Sequence, residues 1–140
     1  MEDIATMIAI HKDQTIIVNN LWTVFQAVAI AILGYVFSQE YVRKSRWILG
    51  FLTCFFLFFS VANQRAISRS QELIVAAATE LSRPDLIAHS HDPLSAVLRV
   101  YDAVAVDTLE TGHRLLSLFV VVAIWVVFAV TRARSNTPAA

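Results

Sequence analysis

Three long stretches of this sequence contain no charged residue. They cover residues 14–39, 47–64 and 115–131, and a helix needs about 20 apolar residues to cross the hydrocarbon core of a bilayer. Hydrophobic residues make up 57% of the chain and charged residues only 16%, whereas a soluble domain has about 25% charged residues. The sequence therefore predicts an integral membrane protein. It argues against a soluble domain, a nucleic-acid-binding protein and a disordered chain.

These stretches predict an all-α protein with three transmembrane helices in a single membrane domain of residues 1–140. The chain starts with the acidic run Met1-Glu2-Asp3, whereas a cleavable signal peptide has a basic start. We therefore expect the first helix to remain in the mature protein. The predicted segments are transmembrane helices at about 16–38, 47–64 and 115–131, an extramembrane helical hairpin at about 65–114, and a tail at 132–140.

The distribution of basic residues predicts an orientation. The short connection 40–46 has three basic residues and one acidic residue, and the tail has two arginines. Three transmembrane helices place this connection and the tail on the same side. Basic residues concentrate in short cytoplasmic loops, so we expect a cytoplasmic C-terminus and an N-terminus outside, in a bacterial cytoplasmic (inner) membrane.

The long connection has the periodicity of amphipathic helices. Apolar residues recur on one side of each of two helical stretches, and charged residues occupy the opposite side. Asp92-Pro93 is a typical helix start, so we expect two long helices, at about 47–81 and 93–134, that continue beyond the membrane as a stalk. The alternative, two helices lying flat on the bilayer, usually requires a Lys/Arg-rich polar face, and this connection has no lysine. The predicted stalk-packing residues are Ile67, Ile74, Leu81, Leu94, Leu98 and Tyr101.

Gln26 is the most central polar residue of the first charge-free stretch. In most membrane helices such a residue forms a hydrogen bond to a neighbouring helix; the alternative is that it lines a pore or a polar cavity in an oligomer. Ala27, Ala31 and Gly34 form a strip of small residues on the same helix, and small residues let helix backbones approach closely in lipid. The spacing leaves open whether this contact lies within one chain or between chains.

His89, His91 and Asp92 offer three potential metal ligands within four residues at the tip of the predicted hairpin. Imidazole and carboxylate groups suit zinc or copper. The spacing matches no strong metal motif, however, and Asp92 is better explained as a helix cap, so the sequence favours an ordinary solvated loop. We find no Gly-rich phosphate loop, no nucleophile motif and no paired cysteines, and we expect neither an enzyme nor a bound cofactor.

Two functional hypotheses follow from the sequence. The first is a non-catalytic accessory subunit or scaffold of a larger membrane assembly, because three short helices leave each amphipathic stripe few neighbours within one chain. The second is a homo-oligomeric channel in which several copies place one helix, with Gln26, around a central path. The expected partners are the lipid bilayer and either other membrane protein subunits or copies of the same chain, and no nucleic acid.

Overall fold

A computed structural model describes residues 2–81 and 105–135, and within them the chain is entirely α-helical apart from short connections. This confirms the predicted all-α membrane protein. The four helices of the described residues are α1 (Glu2–Ser38), α2 (Glu40–Lys44), α3 (Arg46–Leu81) and α4 (Val106–Ser135).

Helices α1, α3 and α4 are long and apolar enough to cross a membrane. They contain 37, 36 and 30 residues, which correspond to lengths of about 55, 54 and 45 Å at a rise of 1.5 Å per residue. The hydrocarbon core of a bilayer is only about 30 Å thick. Each helix therefore continues beyond the core, in agreement with the predicted extension of the second and third helices.

Helix α1 begins well before the first charge-free stretch, because nothing in the sequence interrupts it. It starts at Glu2, and residues 2–33 contain neither glycine nor proline. It ends at Ser38 because Gln39 adopts an extended conformation, with φ −105° and ψ 111°. Ser45 is also extended. The short helix α2 therefore lies between two extended residues, Gln39 and Ser45, and occupies most of the predicted connection 40–46.

Helix α4 begins at Val106 and Ala105 lies outside any helix, so the single continuous helix predicted for residues 93–134 is interrupted at Ala105, while its first part, residues 93–104, lies outside the described residues. The carbonyl group of Ala105, a residue outside any helix, accepts hydrogen bonds from the backbone N–H groups of Thr108 and Leu109. Ala105 therefore precedes the first turn of α4 directly, and the helix starts at the next residue. The amphipathic pattern of the sequence continues through Ala105 and does not indicate this break.

The described chain divides into two compact units, and the first comprises Met1–Trp22 and Arg65–Glu110. Its hydrophobic cluster consists of Val18, Ile67 and Ile74, with Leu21 and Trp22 packed against them. Ile67, Ile74 and Leu81, three of the residues predicted to pack in the stalk, are buried. The charged residues of α3 in this unit, Arg65, Arg69, Glu72 and Glu80, are all exposed.

The second unit comprises Thr23–Gln64 and Thr111–Ala140. Large side chains such as Phe25, Phe56 and Ile124 are fully buried in it. Its outer surface is also apolar, since Trp47 is 76% exposed and Phe58 is 78% exposed. An apolar surface around an apolar core is expected where lipid replaces water as the solvent.

Candidate functional site

Gln26 lies on the surface of the second unit, at the middle of the first charge-free stretch. Its side chain forms no hydrogen bond with any residue that the structure describes. The expected hydrogen bond of Gln26 to a neighbouring helix is therefore not made within the described part of this chain. A primary amide has two N–H donors and a carbonyl acceptor, and lipid hydrocarbon offers no partner for any of them.

The strip of small residues is exposed as well. Ala27, Ala31 and Gly34 all lie on the outer side of α1, and Gln26 lies about 80–140° from them around the helix axis. A Cβ atom added to Gly34 would meet no other atom within 4 Å. Within the described chain these residues make no close helix–helix contact. We refer to Gln26, Ala27, Ala31 and Gly34 together as the Gln26 face.

The interior of the second unit contains two polar contacts between α3 and α4. The hydroxyl groups of Ser60 and Ser117 lie 2.6 Å apart, and the side-chain Nδ2 of Asn63 lies 3.3 Å from Nε2 of His113. All four side chains are buried. Because buried polar groups are costly unless they are hydrogen-bonded, these pairs fix how α3 and α4 are aligned.

His113 is the residue whose role the sequence analysis missed. Only 1% of its surface is exposed. Its ring centroid lies 4.2 Å from that of Phe25 on α1, and Phe25 also lies 5.8 Å from Phe56 of α3. His113 therefore contacts side chains of both other long helices of the unit. The only signal in the sequence was its position two residues before a charge-free stretch.

The described part of the second unit contains a basic cavity. Its volume is about 720 Å³, and its walls come from α2, the start of α3 and the last turns of α4. Four cations line it: Arg43, Lys44, Arg46 and Arg132. A smaller cavity of about 320 Å³ shares Arg43 and Lys44 with it and adds Arg134 and Glu40.

Among the residues that line these two cavities, Glu40 is the only one with a carboxylate, and it lines the smaller cavity. Glu40 pairs with Lys44 at 2.6 Å, and the hydrogen bond and charge of Lys44 lower the pKa of Glu40 below its ordinary value. Among the described residues, Arg43, Arg46 and Arg132 form no ion pair with a carboxylate. A cluster of cations without paired carboxylates attracts anions. In the sequence, these arginines indicated only the orientation of the chain.

The remaining predicted site residues lie outside the described part of the chain. These are the metal candidates His89, His91 and Asp92 and the stalk residues Leu94, Leu98 and Tyr101. Within residues 2–81 and 105–135 there is no group of three histidine, cysteine, aspartate or glutamate side chains that could hold a metal ion. The metal site at the hairpin tip stays a prediction.

Comparisons with protein-family models, curated proteins and solved structures find no match to this chain. The features of this chain that bear on its function are the Gln26 face, the polar contacts between α3 and α4, and the basic cavity.

Proposed function

We propose that this protein is a non-catalytic accessory subunit or scaffold of a larger membrane assembly, and that it associates with other chains through the Gln26 face. The observation that carries the proposal is the exposed amide of Gln26, which has no partner among the described residues. An amide in hydrocarbon without hydrogen bonds is costly. A helix from another chain would supply the missing partner.

The shape of the face supports the same proposal. Ala27, Ala31 and Gly34 project little beyond the backbone of α1, and the space next to Gly34 is open. A partner helix can therefore approach closely and gain van der Waals contacts, which drive helix association in lipid. Interhelical hydrogen bonds in membranes contribute about 0.6–2 kcal/mol each, so we expect Gln26 to add to this packing and to fix its register.

The second candidate function is a homo-oligomeric channel. Phe25, Phe56 and Ile124 are fully buried and fill the interior of the second unit, so a conducting path would have to run between copies. In that arrangement the amide of Gln26 would face water at the centre of a ring. This candidate differs from the first in the identity of the partner and in the environment of Gln26.

The test is the mass of the complex extracted gently from its native membrane and measured by native mass spectrometry. A complex that contains other polypeptides supports the accessory subunit. A closed ring of identical 15.6 kDa chains supports the channel, which must then conduct ions or solutes after reconstitution. A single chain without partners contradicts both candidates.

A matched pair of variants tests the part played by Gln26. Gln26→Leu removes the amide, whereas Gln26→Asn keeps it on a shorter side chain. If the Gln26 face forms the contact, Gln26→Leu should shift the complex towards free chains and Gln26→Asn should retain more of it. Equal assembly of wild type and Gln26→Leu would show that the proposed face is not the contact.

A further inference from the structure

The cavity formed by α2, the start of α3 and the end of α4 has the chemistry of a binding site for a phosphorylated amphiphile. We propose that it binds the phosphate-bearing headgroup of an anionic phospholipid. This site is separate from the Gln26 face, and the proposal is independent of the function proposed above.

Charge is the first argument. Arg43, Lys44, Arg46 and Arg132 line the cavity, and Glu40 is the only acidic residue in the whole sequence of the second unit. Glu40 is already engaged by Lys44. Among the described residues the three arginines form no ion pair with a carboxylate, although the charge of Arg43 also contributes to the lowered pKa of Glu40. An anionic ligand would provide an ion-pair partner.

The Nε atom of Arg43 also indicates a site for an anion. It is buried and has no hydrogen-bond acceptor among the described residues. A buried donor without an acceptor is unfavourable. Phosphate oxygens are strong acceptors for the planar guanidinium group, which can bind them through two parallel hydrogen bonds.

The apolar part of the cavity lining favours a lipid over a soluble phosphate. Beside the cations, the aromatic side chains of Tyr41, Trp47 and Phe128 also line the cavity. Trp47 is largely exposed, and its ring lies 5.4 Å from the guanidinium carbon of Arg46. Trp47 begins one charge-free stretch and Phe128 lies near the end of another, so the cations lie at the level where headgroups meet acyl chains.

The size of the cavity agrees with its assignment as a lipid-headgroup site. The cavity of about 720 Å³ lies within the range of about 300–1,000 Å³ that is typical of ligand pockets. It is much larger than a phosphate ion. A headgroup with its glycerol and the first acyl carbons would place the phosphate among the arginines and the apolar atoms against Trp47 and Phe128.

The test uses the full-length purified protein in a neutral detergent, titrated with phosphatidylglycerol or with phosphatidylcholine and observed by native mass spectrometry. We expect the wild type to retain phosphatidylglycerol in preference to phosphatidylcholine. This preference should weaken as salt is added, because salt screens exposed charges. Equal retention of the two lipids by the wild type would overturn the proposal without reference to any variant.

The site is tested by the double variant Arg43→Gln/Arg132→Gln. Each basic residue near an anionic lipid surface contributes about fivefold to binding, so the loss of two should weaken phosphatidylglycerol binding by about thirtyfold. The matched control is Arg65→Gln/Arg69→Gln, which removes two exposed charges from α3 in the other unit. Equal loss of binding in the two double variants would mean that overall charge, and not this cavity, attracts the lipid.

Two further measurements complete the test: a control for the fold of each variant and a competition with inorganic phosphate. Unchanged helical circular dichroism and unchanged retention of phosphatidylcholine show that a variant has kept its fold. Inorganic phosphate is then added to the lipid-free wild type. If inorganic phosphate binds as tightly as phosphatidylglycerol and displaces it, the ligand is a soluble phosphate and the assignment to a lipid is wrong.

Discussion

The side-chain amide of Asn63 on α3 lies 3.3 Å from Nε2 of His113 on α4. An amide nitrogen can only donate a hydrogen bond, so Nε2 of His113 is the acceptor and carries no proton in this contact. The ring of His113 also packs 4.2 Å from that of Phe25 on α1. One histidine therefore takes part both in the polar alignment of α3 with α4 and in the aromatic core of the second unit.

We expect Asn63 and His113 to be energetically coupled. In a double-mutant cycle with Asn63→Ala and His113→Ala, the coupling energy should be about 0.6–1.7 kcal/mol, the range found for hydrogen bonds between membrane helices. Reversible unfolding in mixed micelles measures it. The control cycle combines Asn63→Ala with Ser135→Ala, because Ser135 bonds only to carbonyl groups of its own helix. Equal coupling energies in both cycles would contradict the pairing.

Phe25 should be the most sensitive phenylalanine of the second unit. It is fully buried and lies near Phe56, Phe59 and His113, with ring-centroid distances of 5.8, 6.4 and 4.2 Å. Phe25→Ala leaves a cavity and should lower the free energy of unfolding by about 3 kcal/mol. Phe58, which is 78% exposed, provides the control, and Phe58→Ala should cost less than about 0.5 kcal/mol. Similar losses for both variants would contradict this packing.

The long helices could be predicted because their signals are local. Charge-free stretches mark α1, α3 and α4, and the apolar period of residues 67–81 predicts the buried side of α3 correctly. The start of α4 at Val106 was mispredicted because the amphipathic pattern continues through Ala105, which lies outside any helix. Periodicity shows which side of a helix would be buried, but it does not show where the helix begins.

Contacts between helices could not be predicted because they depend on how the helices pack side by side, which local sequence patterns do not show. Nothing in the sequence indicates that Asn63 and His113, fifty positions apart, would meet. Similarly, Arg43 and Arg132 appear in the sequence as two separate basic segments, and only the fold brings them into one cavity. The sequence identifies Gln26 as a central polar residue, but only the structure shows that its side chain is exposed.

The stalk prediction can be tested at neighbouring positions of α3 in the first unit. Ile74 is 5% exposed and belongs to the hydrophobic cluster, whereas Leu73 is 47% exposed. Ile74→Ala should lower the stability of this unit by about 2–4 kcal/mol, and Leu73→Ala should cost less than about 0.5 kcal/mol. Hydrogen exchange of residues 65–81 gives the readout, and faster exchange in Leu73→Ala than in Ile74→Ala would contradict the assigned face.

Two glycines provide a matched test of the Gln26 face. An added Cβ meets no atom within 4 Å at Gly34 or at Gly50, so leucine at either position should leave the single chain folded. Only Gly34 belongs to the Gln26 face. Gly34→Leu should therefore block the close approach of a partner helix and release free chains in native mass spectrometry, whereas Gly50→Leu should assemble normally. Disruption by both substitutions, or by neither, would argue against this face.

Removal of Glu40 should strengthen the proposed lipid site. This carboxylate lines the smaller cavity together with Arg43 and Lys44, and Lys44 lowers its pKa, so at neutral pH it is ionised and repels an anionic headgroup. Glu40→Gln should tighten phosphatidylglycerol binding by up to about fivefold, measured by the same lipid titration. Glu72→Gln is the control, because Glu72 is an exposed carboxylate of the other unit and its loss should leave lipid binding unchanged.

The lowered pKa of Glu40 also predicts the pH dependence of lipid binding. A carboxyl group with a lowered pKa stays charged until the pH falls below the ordinary glutamate value of about 4.3. Wild-type affinity for phosphatidylglycerol should therefore stay constant from neutral to mildly acidic pH, and Glu40→Gln should keep its advantage throughout that range. If the wild type gained affinity in that range and matched Glu40→Gln at its acidic end, Glu40 would already be protonated there, and the ion pair with Lys44 would not be holding its charge.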